Sequence, residues 1–240
     1  MQDEQWREWL GRSPLGLDLL ARWRGAGDYR RLLGAEAYRQ QMVELLSRAA
    51  PRDCAAAGFG CTRRNDRACR GPEICSQEPG AGPVGEGRRE GPVPGACDAF
   101  YGYYGDDLRI QVGFAARDRH RAVFWADSPA PVRLWVDGVP VGTEHLLATP
   151  GYWVGDRFFV VDASGPDDHP AQRYVLSDLV TTIVSLLIHD AEESSTHLLV
   201  PRPDELWTDP RVERHGDVLH VYPDRAAREA GRPDRTLPVT

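Results

Sequence analysis

Apolar and polar positions change their period along this chain, and the change divides it. Up to about residue 50 the spacing is helical. Ser13-Pro14 offers a serine cap followed by a proline suited to a first turn, and "LGLDLLARWRG" runs on to a stop at Gly25. Tyr38, Met42, Leu45 and Leu46 then recur on one face of a second helical pattern. From Tyr101 the period falls to two: "DLRIQVGF", "RAVFWAD" and "VRLWVDGVPVG" read as strands rich in branched and aromatic side chains. Asp137-Gly138 is a two-residue hairpin signal, because glycine accepts the positive φ of a type I′ turn. Gly155-Asp156 and His215-Gly216 mark two further hairpins between apolar arms.

One stretch interrupts the alternation. "SDLVTTIVSLLIHDAEE" predicts a helix near 177–193, with Ser177 as cap and Leu179, Ile183, Leu186 and Leu187 on one stripe. Its β-branched residues make a buried strand the competitor, and length favours the helix. The expected fold class is therefore α+β: N-terminal helices plus an antiparallel, hairpin-rich β-sheet with one long covering helix. Residues 1–50 form the helical segment, 51–97 a Cys- and Gly/Pro-rich loop or linker, and 98–240 a mainly antiparallel β domain. Within the middle part, 76–95 is too poor in large apolar residues to offset its ordering entropy.

Composition narrows the function. The 240 residues are 41% hydrophobic with a formal net charge of −7, enough for a core and repulsive toward a general polyanion such as nucleic acid. All 29 basic residues are arginine, which fits GC-rich bacterial coding. The start, "MQDEQWREWLGRS", lacks a signal-peptide pattern, and no run reaches the roughly 20 apolar residues of a membrane span. A cytoplasmic location with reduced thiols is expected, with no membrane partner.

The thiols raise the first chemical question. Cys54, Cys61, Cys69 and Cys75 fall at C-x6-C-x7-C-x5-C, without the close pairs of ordinary zinc knuckles. Four thiolates wrapping zinc, disulfide pairing and unligated thiols are the three readings, and the last is favoured, so no cofactor is expected and zinc is the alternative. Arg63, Arg64, Arg67 and Arg70 would lower the pKa of thiols close to them.

Cys97, His145 and Asp162 supply a nucleophile, a base and an orienter in that chain order. The arrangement resembles papain-like and transglutaminase-like enzymes, in which a histidine strand is followed by a strand ending in the third catalytic residue. That resemblance implies a cysteine hydrolase or acyl-transferase. His189, Glu193 and His197 would share a face, and a divalent ion, if the 177–193 helix continued. No phosphate-binding glycine loop or G-x-S-x-G elbow occurs. The leading expectation is thus an acidic interaction protein whose partner is another protein, similar in general make-up to bacterial immunity proteins. The cysteine hydrolase is its rival.

Overall fold

The computed structural model describes residues 35–50, 54, 60–61, 100–104, 108–115, 119–127, 132–145, 147, 151–175, 180–181 and 183–239. They fall into two units, one within 1–130 plus 134–140, the other within 131–133 plus 141–240. The expected helix at 13–25, the 76–95 linker and the boundary at residue 97 lie outside the described residues.

In the first unit, α1 (Ala35–Leu46) precedes six strands: β1 (Gly60–Cys61), β2 (Phe100–Tyr104), β3 (Leu108–Phe114), β4 (Arg121–Asp127), β5 (Arg133–Val136) and β6 (Val139–Val141). They hydrogen-bond in sequence order as one sheet, the antiparallel arrangement that successive hairpins impose. Ile110, Val112, Val123 and Trp125 are buried, as are Met42, Val43 and Leu46 of α1. The Arg39 guanidinium lies 5.9 Å from the centre of the Trp125 ring. Arg121 Nε donates to the Ala49 carbonyl at 2.8 Å, which ties the segment after α1 to β4. Asp137 and Gly138 take φ of 50° and 83°, the left-handed pair a tight β5–β6 turn requires.

The second unit is built from two antiparallel sheets. β7 (Tyr152–Val154), β8 (Phe158–Ser164), β11 (Val184–Asp190) and β12 (Ser195–Leu199) form one, in the order β12-β11-β8-β7. A short pair, β9 (Tyr174–Val175) with β10 (Val180–Thr181), stands in the β8–β11 connection. β13 (Arg211–His215), β14 (Val218–Tyr222) and β15 (Arg235–Pro238) form the other, with α2 (Arg225–Glu229) between β14 and β15. The two sheets share a core of Val154, Phe158, Val160, Leu186, Ile188, Trp207, Val212, Leu219 and Val221. Burying such side chains is worth about 1.5–3 kcal/mol each.

The fold class is corrected here. The described residues are mainly antiparallel β, with two short helices and no long covering helix. The predicted 177–193 helix is instead β10 and β11. Six of the seven β11 residues, Ser185–Asp190, are buried, so both faces are covered and the sequence shows a continuous apolar run. A strand covered on both faces loses its alternation and imitates a buried helix in sequence. Pairing with β8 on one side and β12 on the other settles it as a strand. Of the expected N-terminal helices, the second pattern falls among the described residues and forms α1, which carries Tyr38, Met42, Leu45 and Leu46.

Candidate functional site

The described residues place only part of the expected sets. Cys97, Cys69 and Cys75 lie outside the described residues. Cys54 is fully buried, and Cys61 sits in β1, its backbone paired with Tyr101 of β2. His145 occupies a turn, its N–H bonded to the Gly142 carbonyl and its Nε2 3.2 Å from the Glu144 carboxylate. Asp162 stands opposite Leu186 in the β8–β11 ladder, its Oδ1 buried. The helix that would have aligned His189, Glu193 and His197 does not form. His189 is buried with Nδ1 2.9 Å from Thr196 Oγ1, Glu193 is in the β11–β12 turn, and His197 is exposed on β12 opposite Ile188. Among the described residues no group of three or more His, Cys, Asp or Glu side chains is placed to hold a metal ion.

Asp162 is electrostatically uncomfortable. Its Oδ1 is buried without a hydrogen-bond partner. Burial pushes its carboxyl above the ordinary range; Arg211 draws it partly back, and Asp209 adds to the rise. Tyr152 beside it is held firmly neutral by its own burial, while its hydroxyl accepts from the Val212 N–H at 2.7 Å. A carboxyl whose folded pKa is raised costs stability above its unfolded pKa, and the cost fades as pH falls. Asp162→Asn is expected to raise Tm at pH 7 by about 2–4 °C, the equivalent of about 1 kcal/mol for a chain of this size. Differential scanning fluorimetry at pH 7 and pH 4 reads this directly. A gain that shrinks at pH 4 fits, and a lower Tm at pH 7 would refute the unpartnered carboxylate.

A second polar group decorates the outer face of the β13–β14 hairpin. Glu213 faces His220 across the ladder, and the His215 and His220 rings stack with centres 4.5 Å apart. The Tyr222 hydroxyl lies 3.5 Å from His215 Nε2 and 3.4 Å from His220 Nδ1, and His215 Nε2 lies 3.5 Å from Glu213. Burial and then the Glu213 charge raise the Tyr222 pKa, which keeps the phenol protonated and unsuited to attack. A single O–H can donate to one imidazole only, so this group reads as a self-satisfied network.

The exposed edge is different. β12 closes one end of its sheet, and no described strand pairs with its outer side. Of four exposed large apolar side chains among the described residues, Leu198 lies in this strand, Val200 directly after it and Leu206 in the loop toward β13. Between Glu193 and Arg202 the sequence "SSTHLLVP" carries no acidic residue, lysine or arginine. Exposed edges usually carry charges, bulges or covering loops to block pairing, and β12 itself bears no such charge. The Arg157–Asp190 fork and the Ala191 N–H to Arg157 carbonyl bond fix the turn that feeds it. What this arrangement can do is accept another extended strand. Sequence reasoning missed it because the uncharged run acquires meaning only once the strand order makes it an edge.

No protein-family model, curated protein or solved structure matches the chain. No helix among the described residues is long and apolar enough to cross a membrane.

Proposed function

We propose that the protein is a non-catalytic interaction protein that binds another polypeptide by strand addition at β12. The occupant is an extended segment, uncharged where it pairs with β12, whose flanks carry charges opposite to those at the ends of the edge. The observation that carries this reading is the uncharged outer edge of β12 beside exposed Leu198 and Val200. Main-chain hydrogen bonds along such an edge supply affinity, and alternate side chains supply selectivity. Glu192 and Glu193 at one end of the edge and Arg202 at the other give it a polarity that selects the direction of the incoming strand.

A labelled peptide of the sequence SSTHLLVP serves as the probe, titrated with the full chain and followed by fluorescence anisotropy. Saturable binding with a dissociation constant of about 10–100 µM is expected, the weak end that suits a small contact. A scrambled peptide should not bind, and Leu198→Lys should weaken binding at least about tenfold by charging the edge. Absence of saturable binding, or binding indifferent to Leu198→Lys, removes the reading.

A further inference from the structure

We infer that the strand received by β12 is β12 of a second copy of this chain, joined in antiparallel register about a two-fold axis at His197. This deepens the edge-binding reading and rests on it.

The register follows from parity. Opposed residues in an antiparallel pair put their side chains on the same face, so a symmetric pairing must centre on a residue. Only three centres keep most of the five-residue strand paired: Thr196, His197 and Leu198. Centring on Thr196 sets the Glu192 carboxylate against Val200, and centring on Leu198 sets the Arg202 guanidinium against Ser194. Centring on His197 sets Ser195 against Leu199, Thr196 against Leu198, and the turn carrying Glu192 against Arg202. Glu192 lies 3.5 Å from Arg157 and Arg202 3.9 Å from Glu205, and both side chains stay largely exposed, so each can also face a charge of the other copy. Charge complementarity between the two ends of β12 therefore favours this register and a second copy as the occupant.

The same register treats the apolar side chains well. Leu198 of each copy lies beside the Thr196 methyl and diagonal to the other Leu198, within reach for long side chains. Val200 extends that strip at both ends on the same face. The joined sheet would run through eight strands, β7-β8-β11-β12 continued by its symmetry mate, with neither copy's β12 edge left open.

Sedimentation equilibrium of the full chain over about 10–300 µM tests this, since a contact at the small end of specific interfaces associates weakly. A monomer–dimer equilibrium is expected. Glu192→Arg and Arg202→Glu should each weaken dimerisation by about tenfold through two like-charge contacts, and the double variant should recover most of the loss. Both positions are exposed, and unchanged thermal melts of the monomers confirm that folding is not the cause. Leu198→Lys should leave only monomer. A monomer at every concentration, or a dimer whose charge variants do not compensate, overturns the homotypic register. If the SSTHLLVP peptide still binds that monomer, strand addition at β12 stands and only the second copy as occupant falls.

Discussion

Trp207→Ala is expected to remove about 3–5 kcal/mol from the unfolding free energy of the second unit, the range for deleting a large buried aromatic. Trp207 is fully buried in the core shared by the β12-β11-β8-β7 and β13-β14-β15 sheets. It is held in three further ways. Its Nε1–H donates to Asp234 at 3.2 Å, the Arg235 guanidinium lies 4.7 Å above its ring, and its carbonyl accepts from the Val184 N–H at 3.0 Å. Arg235 in turn is paired with the Glu205 carboxylate. Truncation opens a cavity between the sheets and leaves Arg235 without its aromatic platform. A typical domain has only about 5–15 kcal/mol in total, so the variant is placed near the threshold of folding. Urea unfolding followed by circular dichroism gives the number. Trp207→Phe keeps a ring in the cavity and loses the indole donor, so its loss should be about 1–3 kcal/mol, dominated by the donor's absence and partial refilling. If alanine costs no more than phenylalanine, the two sheets do not share a cooperative core.

The sequence made the hairpins legible because each depends on a local backbone requirement. Gly138, Gly155 and Gly216 all have positive φ, at 83°, 68° and 62°, and each stands in a turn anticipated from its apolar flanks. The 177–193 stretch was misread for the opposite reason: its strand identity is imposed by β8 and β12 on either side, which no local pattern announces. Gly60–Cys61 pairing with β2 was equally hidden, since two residues of strand in a glycine-rich run have no period to detect. His145 and Asp162 were placed near each other by assuming regular pairing through the Gly155 turn. The antiparallel bridge between Leu147 and Ala163 does continue that edge, while the His145 N–H bonds to Gly142 and its ring lies beside Glu144. The β12 edge shows the general limit. Its composition is printed in the sequence, but being an edge is a property of topology.

That edge depends on the turn before it, and Arg157→Met is the substitution that tests the dependence. Arg157 sits in the β7–β8 turn and grips Asp190 with two parallel bonds, Nε to Oδ1 at 2.8 Å and Nη2 to Oδ2 at 2.6 Å. Asp190 Oδ1 also accepts the Glu192 and Glu193 N–H groups, at 3.1 and 3.3 Å, shaping the loop into β12. Burial alone would raise the Asp190 pKa; the Arg157 fork and those two N–H groups outweigh it and hold the carboxyl below its ordinary value. Both side chains are largely buried, at 13% and 10% exposure, so removing the guanidinium strands a charge. Methionine keeps an apolar stem near the Phe158 ring, and the expected loss at pH 7 is about 3 kcal/mol, the lower end for breaking a buried pair. The sign with pH is the sharper test. In the natural chain a depressed carboxyl contributes stability above its unfolded pKa near 4, lost as pH falls through the lower folded value. In Arg157→Met burial is left with only the two N–H groups against it and the folded pKa rises, so acid relieves the variant where it destabilises the natural chain. The two stability curves should therefore converge between about pH 6 and pH 3. Parallel curves would mean that Asp190 is held by something other than Arg157. Hydrogen exchange should also quicken at Ser195–Leu199 in the variant, because the loop that aims β12 has lost its anchor.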